Sequence, residues 1–298
     1  MMRFKLTIYI VAVCMLQAQT LMAQPKTDGG WKLVWHDEFI GSGRPDPAKW
    51  AYETGFVRNY EQQYYTPENV SLHKGKMVIE LRKADFPCPT YDSESTNWRH
   101  SRPQVQYTGG SVVTRGKHTF LYGRIEVCAR IPVCVGAWPA IWLLGSNLPW
   151  PANGEVDMLE YYQLNGQPTI LANACWAGNT DDDTQWDSSY TPLDHFTARD
   201  PNWADRFHVW SMEWDETAIR LYLDDELLNE IDLTRTLNGK ARETGFNGEN
   251  LVGVNPFHYP QYLLLNLALD TRVKTYDHLT FPIRYEIDYV RVYERRKN

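Results

Sequence analysis

The sequence predicts an all-β protein folded as a two-sheet sandwich in one domain. Three features lead there. Short runs rich in β-branched and aromatic residues recur along the 298 residues, divided by clusters of Gly, Pro, Asn and Asp. Several of these runs alternate polar and apolar residues at period two, as half-buried antiparallel strands do. No stretch carries long helical periodicity, and many short strands with few helices favour two packed sheets.

In chain order, the predicted strands include Lys76-Met-Val-Ile-Glu-Leu-Arg82, Tyr122 to Ile131, His208-Val-Trp-Ser-Met-Glu-Trp214, Ala218 to Asp224, Tyr262 to Ala268 and Tyr285 to Tyr293. Alternation is cleanest in Ile219-Arg-Leu-Tyr-Leu-Asp224 and Ile287-Asp-Tyr-Val-Arg-Val-Tyr293. Asp224-Asp225 ahead of Glu226 reads as a hairpin turn. No linker, low-complexity tract or internal repeat divides residues 24–298, so one domain is expected there.

The first 23 residues read as an export signal. Arg3 and Lys5 supply the positive start, Leu6 to Leu16 is apolar but too short to span a bilayer, and Ala23 precedes the expected cleavage. Work outside the cytoplasm is implied: periplasmic, cell-surface or extracellular. Cys14 opens a lipoprotein alternative, although Val13 precedes it where a small residue is wanted. No other stretch could cross a membrane as a helix. A net charge of −7 argues against nucleic acid or an anionic membrane as partner. Twelve Trp and eighteen Tyr exceed what such a core needs, and flat rings suit a sugar-binding cleft. A monomer acting on polysaccharide is expected. Cys88, Cys128, Cys134 and Cys175 remain after cleavage; their spacing fits no zinc knuckle, and bridges and free thiols both stay open.

The chemical signal is Trp150-Pro-Ala-Asn-Gly-Glu155-Val-Asp157-Met-Leu-Glu160-Tyr-Tyr162. On a regular strand Glu155 and Asp157 share a face while Glu160 points away. A β-bulge between Asp157 and Glu160 would return Glu160 to that face, with Val156 turned to the core. Three clustered acids raise at least one pKa and cost stability, which a working site can repay. Retaining glycoside hydrolysis needs one ionised carboxylate and one protonated acid about 5–5.5 Å apart. The plainer readings are a solvated acidic strand or a calcium site.

The pattern E-x-D-x-x-E after Trp138-Pro-Ala-Ile-Trp142-Leu-Leu-Gly145 resembles glycoside hydrolase family 16, in its laminarinase-like members. The likeness extends through Trp35-His-Asp-Glu-Phe39, Trp50, Asn59-Tyr-Glu-Gln-Gln-Tyr-Tyr65, Tyr122-Gly-Arg-Ile-Glu126, Phe207 to Trp214, Asn266-Leu-Ala268 and Ile287 to Tyr293. It implies a concanavalin-A-like jelly roll with an open concave cleft, suited to attack inside a polymer. It implies Glu155 as nucleophile, Glu160 as acid/base, and Asp157 between them sharing a hydrogen bond with Glu155. Asn59 would contact sugar hydroxyls. Trp138 and Trp142 would line the cleft or sit in the core; Trp176 and Trp186 would extend a sugar platform or simply pack. Catalysis would need no cofactor. A structural calcium would use Asp288 and a backbone oxygen of Gly75, unless Asp288 is a plain outward acid.

Three departures bear on specificity. Ser111 stands where many laminarinases carry a cleft Arg, Ala172-Asn-Ala-Cys-Trp176 lacks the usual His, and Asp270 to Tyr276 replaces a Gly-rich loop. The expected activity is hydrolysis of β-1,3- or mixed β-1,3/1,4-glucan with retention. Rivals are a red-algal galactan hydrolase and a non-catalytic glucan-binding protein. No GxSxG elbow, P-loop or HExxH occurs. Asp181-Asp-Asp183 reads as a solvated loop, and His208 as a satisfied buried residue.

Overall fold

The computed structural model describes residues 30–180 and 183–296. It contains two stacked sheets, of ten and seven strands. The seven-stranded inner sheet runs, edge to edge, through Thr184–Pro192, Gln167–Ala177, Glu155–Leu164, Ala137–Gly145, Gln261–Leu269, Ser111–Val113 and Ala51–Tyr52. The outer sheet runs Glu226–Asp232, Ala218–Leu223, His208–Trp214, Gly123–Arg130, Ile283–Arg295, Met77–Pro87, Gln104–Gly109 and Gln63–Tyr65. Trp31–Asp37 joins it on Ile283–Arg295, and Val70–Leu72 on Met77–Pro87. Only Gln63–Tyr65 on Gln104–Gly109 is parallel among the described pairings.

The core lies between the sheets. Val156, Met158, Leu159, Leu263 and Leu265 of the inner sheet meet Ile125, Val127, Trp210, Tyr285 and Ile287 of the outer one. Each of these side chains is buried, and the apolar area so removed from water is the main force holding the layers together. The predicted strands all form, with ends moved by a few residues, because alternation marks a strand's middle better than its termini. Asp224 and Asp225 both take positive φ, 48° and 68°, and close the expected hairpin between Ala218–Leu223 and Glu226–Asp232. Among the described residues no helix is long and apolar enough to cross a membrane.

Candidate active site

The carboxylate strand begins at a tight turn. Gly154 holds φ at +70°, and a Cβ there would lie 2.9 Å from Pro256 and 3.0 Å from the Phe257 ring, so glycine alone lets the chain turn into Glu155. Pairing with Gln167–Ala177 then runs Glu155↔Cys175, Val156↔Ala174 and Asp157↔Asn173, and resumes at Glu160↔Leu171. The irregularity falls between Asp157 and Glu160, and it also breaks the register on Ala137–Gly145. Met158 and Leu159, adjacent in sequence, are both fully buried in the core. Two successive residues on one face are the mark of a bulge. Its consequence is that Glu155, Asp157 and Glu160 all line the same cleft of about 610 Å³.

The three acids are linked by hydrogen bonds. Glu155 accepts the Trp150 indole N–H at 2.9 Å, and Glu160 accepts that of Trp138 at 2.9 Å. The Asn173 amide lies 3.4 Å from Asp157 Oδ2 and 3.3 Å from Glu160 Oε2, bridging the pair across the bulge. Asp157, 2% exposed, shares a hydrogen bond with Glu155. Burial, then the charges of Glu160 and Glu155, hold the Asp157 carboxyl well above the usual range, which favours a proton shared with Glu155. Burial and the neighbouring Glu160 push Glu155 up to about 7, opposed by the Trp150 hydrogen bond and by Arg58. Burial raises Glu160 too, while Trp138, Arg272 and Asn173 pull the other way. All three carboxyls are thus raised by burial and by one another's charge.

The walls come from separate elements. The Trp142 indole donates to Asn266 Oδ1 at 2.7 Å, and Asn266 donates in turn to Tyr65 Oη at 3.1 Å, fixing the ring at the cleft floor. Arg58 lies over Trp142, 5.0 Å from the ring centroid, and pairs with Glu53. Ser111, the position where a guanidinium was implied elsewhere, donates to the same Glu53 at 2.6 Å. Asn59, at φ +53°, lines the cleft, as does the buried Glu61. Trp138 is half-buried and Trp142 buried, and both line the cleft.

Trp176 needs correcting. Opposite Glu155 stands Cys175, so its neighbour Trp176 points to the other face, where it packs on the core edge-to-face with Phe257 at 6.4 Å. Cys175 pairs with Trp186, which lines the cleft in its place. The sequence reading also passed over Trp150, Asn173 and Arg58. Asn173 was legible by parity from Asp157; Arg58 sits in a loop and left no periodic signal.

Asp288 sits at a second bulge, between Ile287 and Tyr289 on the outer sheet, 4.0 Å from Lys76 Nζ. Gly75, at φ +72°, precedes that lysine. Asp288 and the Gly75 carbonyl would supply two of the six to eight oxygens calcium takes, the others coming from further carbonyls or water. No group of three or more metal-binding side chains occurs among the described residues. Cys88, Cys128, Cys134 and Cys175 are all free thiols. His208 is buried, its ring nitrogens on Asp224 and on the Trp203 carbonyl, which settles it as structural. Asp183 accepts from Asn179 and Gln185 in a loop; Asp181, Asp182, Cys14 and the expected signal lie outside the described residues.

This bulged row of acids in a jelly-roll cleft has known relatives. Residues 57–244 match glycosyl hydrolases family 16. The chain belongs to that family. It is a retaining, endo-acting glycoside hydrolase. It is similar to a β-glucanase of Rhodothermus marinus, 33% identical over 276 residues that cover 88% of this chain and 85% of that one. A structure described with endo-acting O-glycanases of the human gut microbiota that initiate mucin breakdown shares 35% identity at a TM-score of 0.72, over 90% of this chain and 92% of that one. The laminarinase catalytic domain of Thermotoga maritima superimposes at a TM-score of 0.68 with 29% identity, over 89% and 99%.

Proposed function

We propose that this family 16 enzyme hydrolyses β-1,3- or mixed β-1,3/1,4-glucan by double displacement, with Glu155 as nucleophile and Glu160 as acid/base. The observation that supports the roles is the bridge from Glu155 through Asp157 and Asn173 to Glu160, with a separate indole donor on each glutamate, Trp150 on Glu155 and Trp138 on Glu160. Glu155 attacks the anomeric carbon as Glu160 protonates the departing glycosidic oxygen. Water then attacks the glycosyl-enzyme, Glu160 takes its proton, and Glu155 is released with net retention. Asp157, protonated, keeps its hydrogen bond to Glu155 and orients it. The glucan itself is supported by the relatives named β-glucanase and laminarinase.

A second reading is cleavage within mucin O-glycans. It is supported by the 35% identity to the O-glycanase structure and by this chain's departures from the laminarinase pattern at Ser111, Ala172 to Trp176 and Asp270 to Tyr276. The experiment is release of reducing ends from laminarin, barley β-glucan, mucin O-glycans, agarose and porphyran, by native chain and Glu155→Gln. Laminarin or barley product that vanishes in Glu155→Gln supports the glucan reading. Product from mucin alone replaces it with the second; product from none supports a binding protein.

The export reading joins this proposal: residues 1–23 removed, residues 24–298 acting as one domain outside the cytoplasm, as a monomer. A mature N-terminus at Gln24 supports it, and a lipid-modified Cys14 would replace it by anchoring. A calcium ion at Asp288 and Gly75 would have to turn Lys76 away. A melting temperature unmoved by EDTA and by added calcium would remove it.

A further inference from the structure

The segment that replaces the family's Gly-rich loop begins near Glu160. Asp270, 0% exposed, accepts the Arg272 backbone N–H at 3.0 Å and its Nε–H at 2.6 Å. The turn is tied down by the Asp270 N–H on the Gly136 carbonyl at 3.0 Å and by the Tyr276 hydroxyl on the Asp270 carbonyl at 2.9 Å. So anchored, the guanidinium carbon of Arg272 lies 3.3 Å from the Tyr162 ring centroid and 4.8 Å from that of Trp138. Those rings meet edge-to-face at 5.7 Å, and Trp138 is the donor to Glu160 Oε1. The contacts form one line, from the buried Asp270 through Arg272 and Trp138 to the acid/base.

We infer that Arg272 is a positioning residue for Glu160: clamped by Asp270 and laid on Tyr162 and Trp138, it holds the Trp138 indole on the carboxyl and sets one positive charge beside it. The inference rests on Glu160 being the acid/base. That residue must give up a proton in the first step and take one in the second, so its affinity for the proton has to stay near the working pH. Burial and the nearby acids favour the proton, against the Trp138 and Asn173 donors. Glu155 and Asp157 lie on its own strand, Cys175 on the neighbouring one, Tyr162 below, and Asp270 beyond Trp138. Arg272 is the described cation among them that opposes this crowd of acids. Arginine suits the place because its planar fork can stack on rings while Nε is spent on a carboxylate.

Removing Arg272 alone would strand a buried Asp270, so the test pairs Arg272→Gln with Asp270→Asn and adds Arg272→Lys alone. On laminarin and mucin O-glycans, the double variant is expected to melt as a folded protein and to lose about ten- to a hundred-fold in kcat through misplacement of the acid/base. KM is expected to stay within about twofold. The alkaline limb of the rate profile moves to higher pH, and the carbon-13 titration of the Glu160 carboxyl moves the same way. Arg272→Lys keeps that limb close to wild type, with intermediate kcat. Loss of kcat without movement of either titration would mark a merely structural loop and overturn the inference, as would wild-type kcat. Wild-type chain inactive on both substrates overturns those two substrate readings instead, and the carboxyl titration still reports whether Arg272 acts on Glu160.

Discussion

Acidic side chains on the outer sheet and on the inner one meet opposite fates. Outside, acids of the ladders are matched to guanidinium groups. Glu80 accepts Arg284 at 2.8 Å and Arg82 at 2.9 Å, and Arg291 grips Glu38 with two bonds of 2.9 Å. Arg124 joins Glu126 and Glu213, each at 2.8 Å. Burial alone would raise Glu80 and Glu38, yet these cations bring both below the ordinary carboxylate range. Inside, Glu155, Asp157 and Glu160 are as well hidden but receive indole and amide donors, and all three rise. Neutral donors orient a carboxyl without fixing its charge, and a group that must change charge during a reaction needs that freedom.

Substitutions on the two faces should therefore separate activity from stability. The largest effect belongs to Glu155→Gln, expected to lower kcat/KM by about four orders of magnitude or more, the scale of a lost covalent nucleophile. Steady-state rates on laminarin check it, with the folded state confirmed by near-ultraviolet circular dichroism. Glu160→Gln is expected to lose about 10²–10⁴-fold on polymer, the usual share of general acid–base catalysis. An aryl glycoside with an activated leaving group should be spared most of that loss. With the Glu160 charge gone, Glu155 ionises more readily, so the acid limb on that substrate moves to lower pH. Trp150→Phe removes one donor to Glu155 and is expected to cost about tenfold in kcat.

The outer face supplies the contrast. Glu80→Gln should leave kcat unchanged and cost about 1 kcal/mol of stability in urea, since Arg82 and Arg284 stay largely in water. Its sign follows from the lowered pKa: the contribution is present above the unfolded value and is lost as pH falls through the folded one. Glu160 behaves in reverse. Its folded pKa is raised, so wild type loses stability as pH climbs from the unfolded to the folded value. Glu160→Gln, which cannot ionise, should melt higher than wild type at pH 8, by about 2–4 °C per kcal/mol of relieved charge, and equally at pH 4. A lower melting point at pH 8 would break the comparison between the faces.

The same contrast shows what a sequence discloses. The outer strands are legible because one side is wet and one is dry, so Ile219 to Leu223 alternates openly. The bulge was legible as well, since only an added residue returns Glu160 to the face of Asp157. Not disclosed was a face assignment one strand away. For Trp176 and Trp186 the sequence leaves platform and packing open; register makes Cys175 the partner of Glu155 and sends Trp176 inward to pack, with Trp186 taking the cleft. A slip of one residue exchanges the faces of a strand, and register is a tertiary fact. Arg58 and Arg272 stayed hidden for a related reason. Both sit in irregular segments, where placement depends on distant partners such as Trp142, Glu53 and Tyr162.

The relation of Glu155 to Glu160 is tested most directly by the configuration of the first product. Proton nuclear magnetic resonance of an oligosaccharide digest, recorded before mutarotation, should show the new reducing end first in the β form, and the α form only later. An α anomer appearing first would mean that water, not Glu155, attacks the sugar, and would contradict the two-carboxylate account given for this strand.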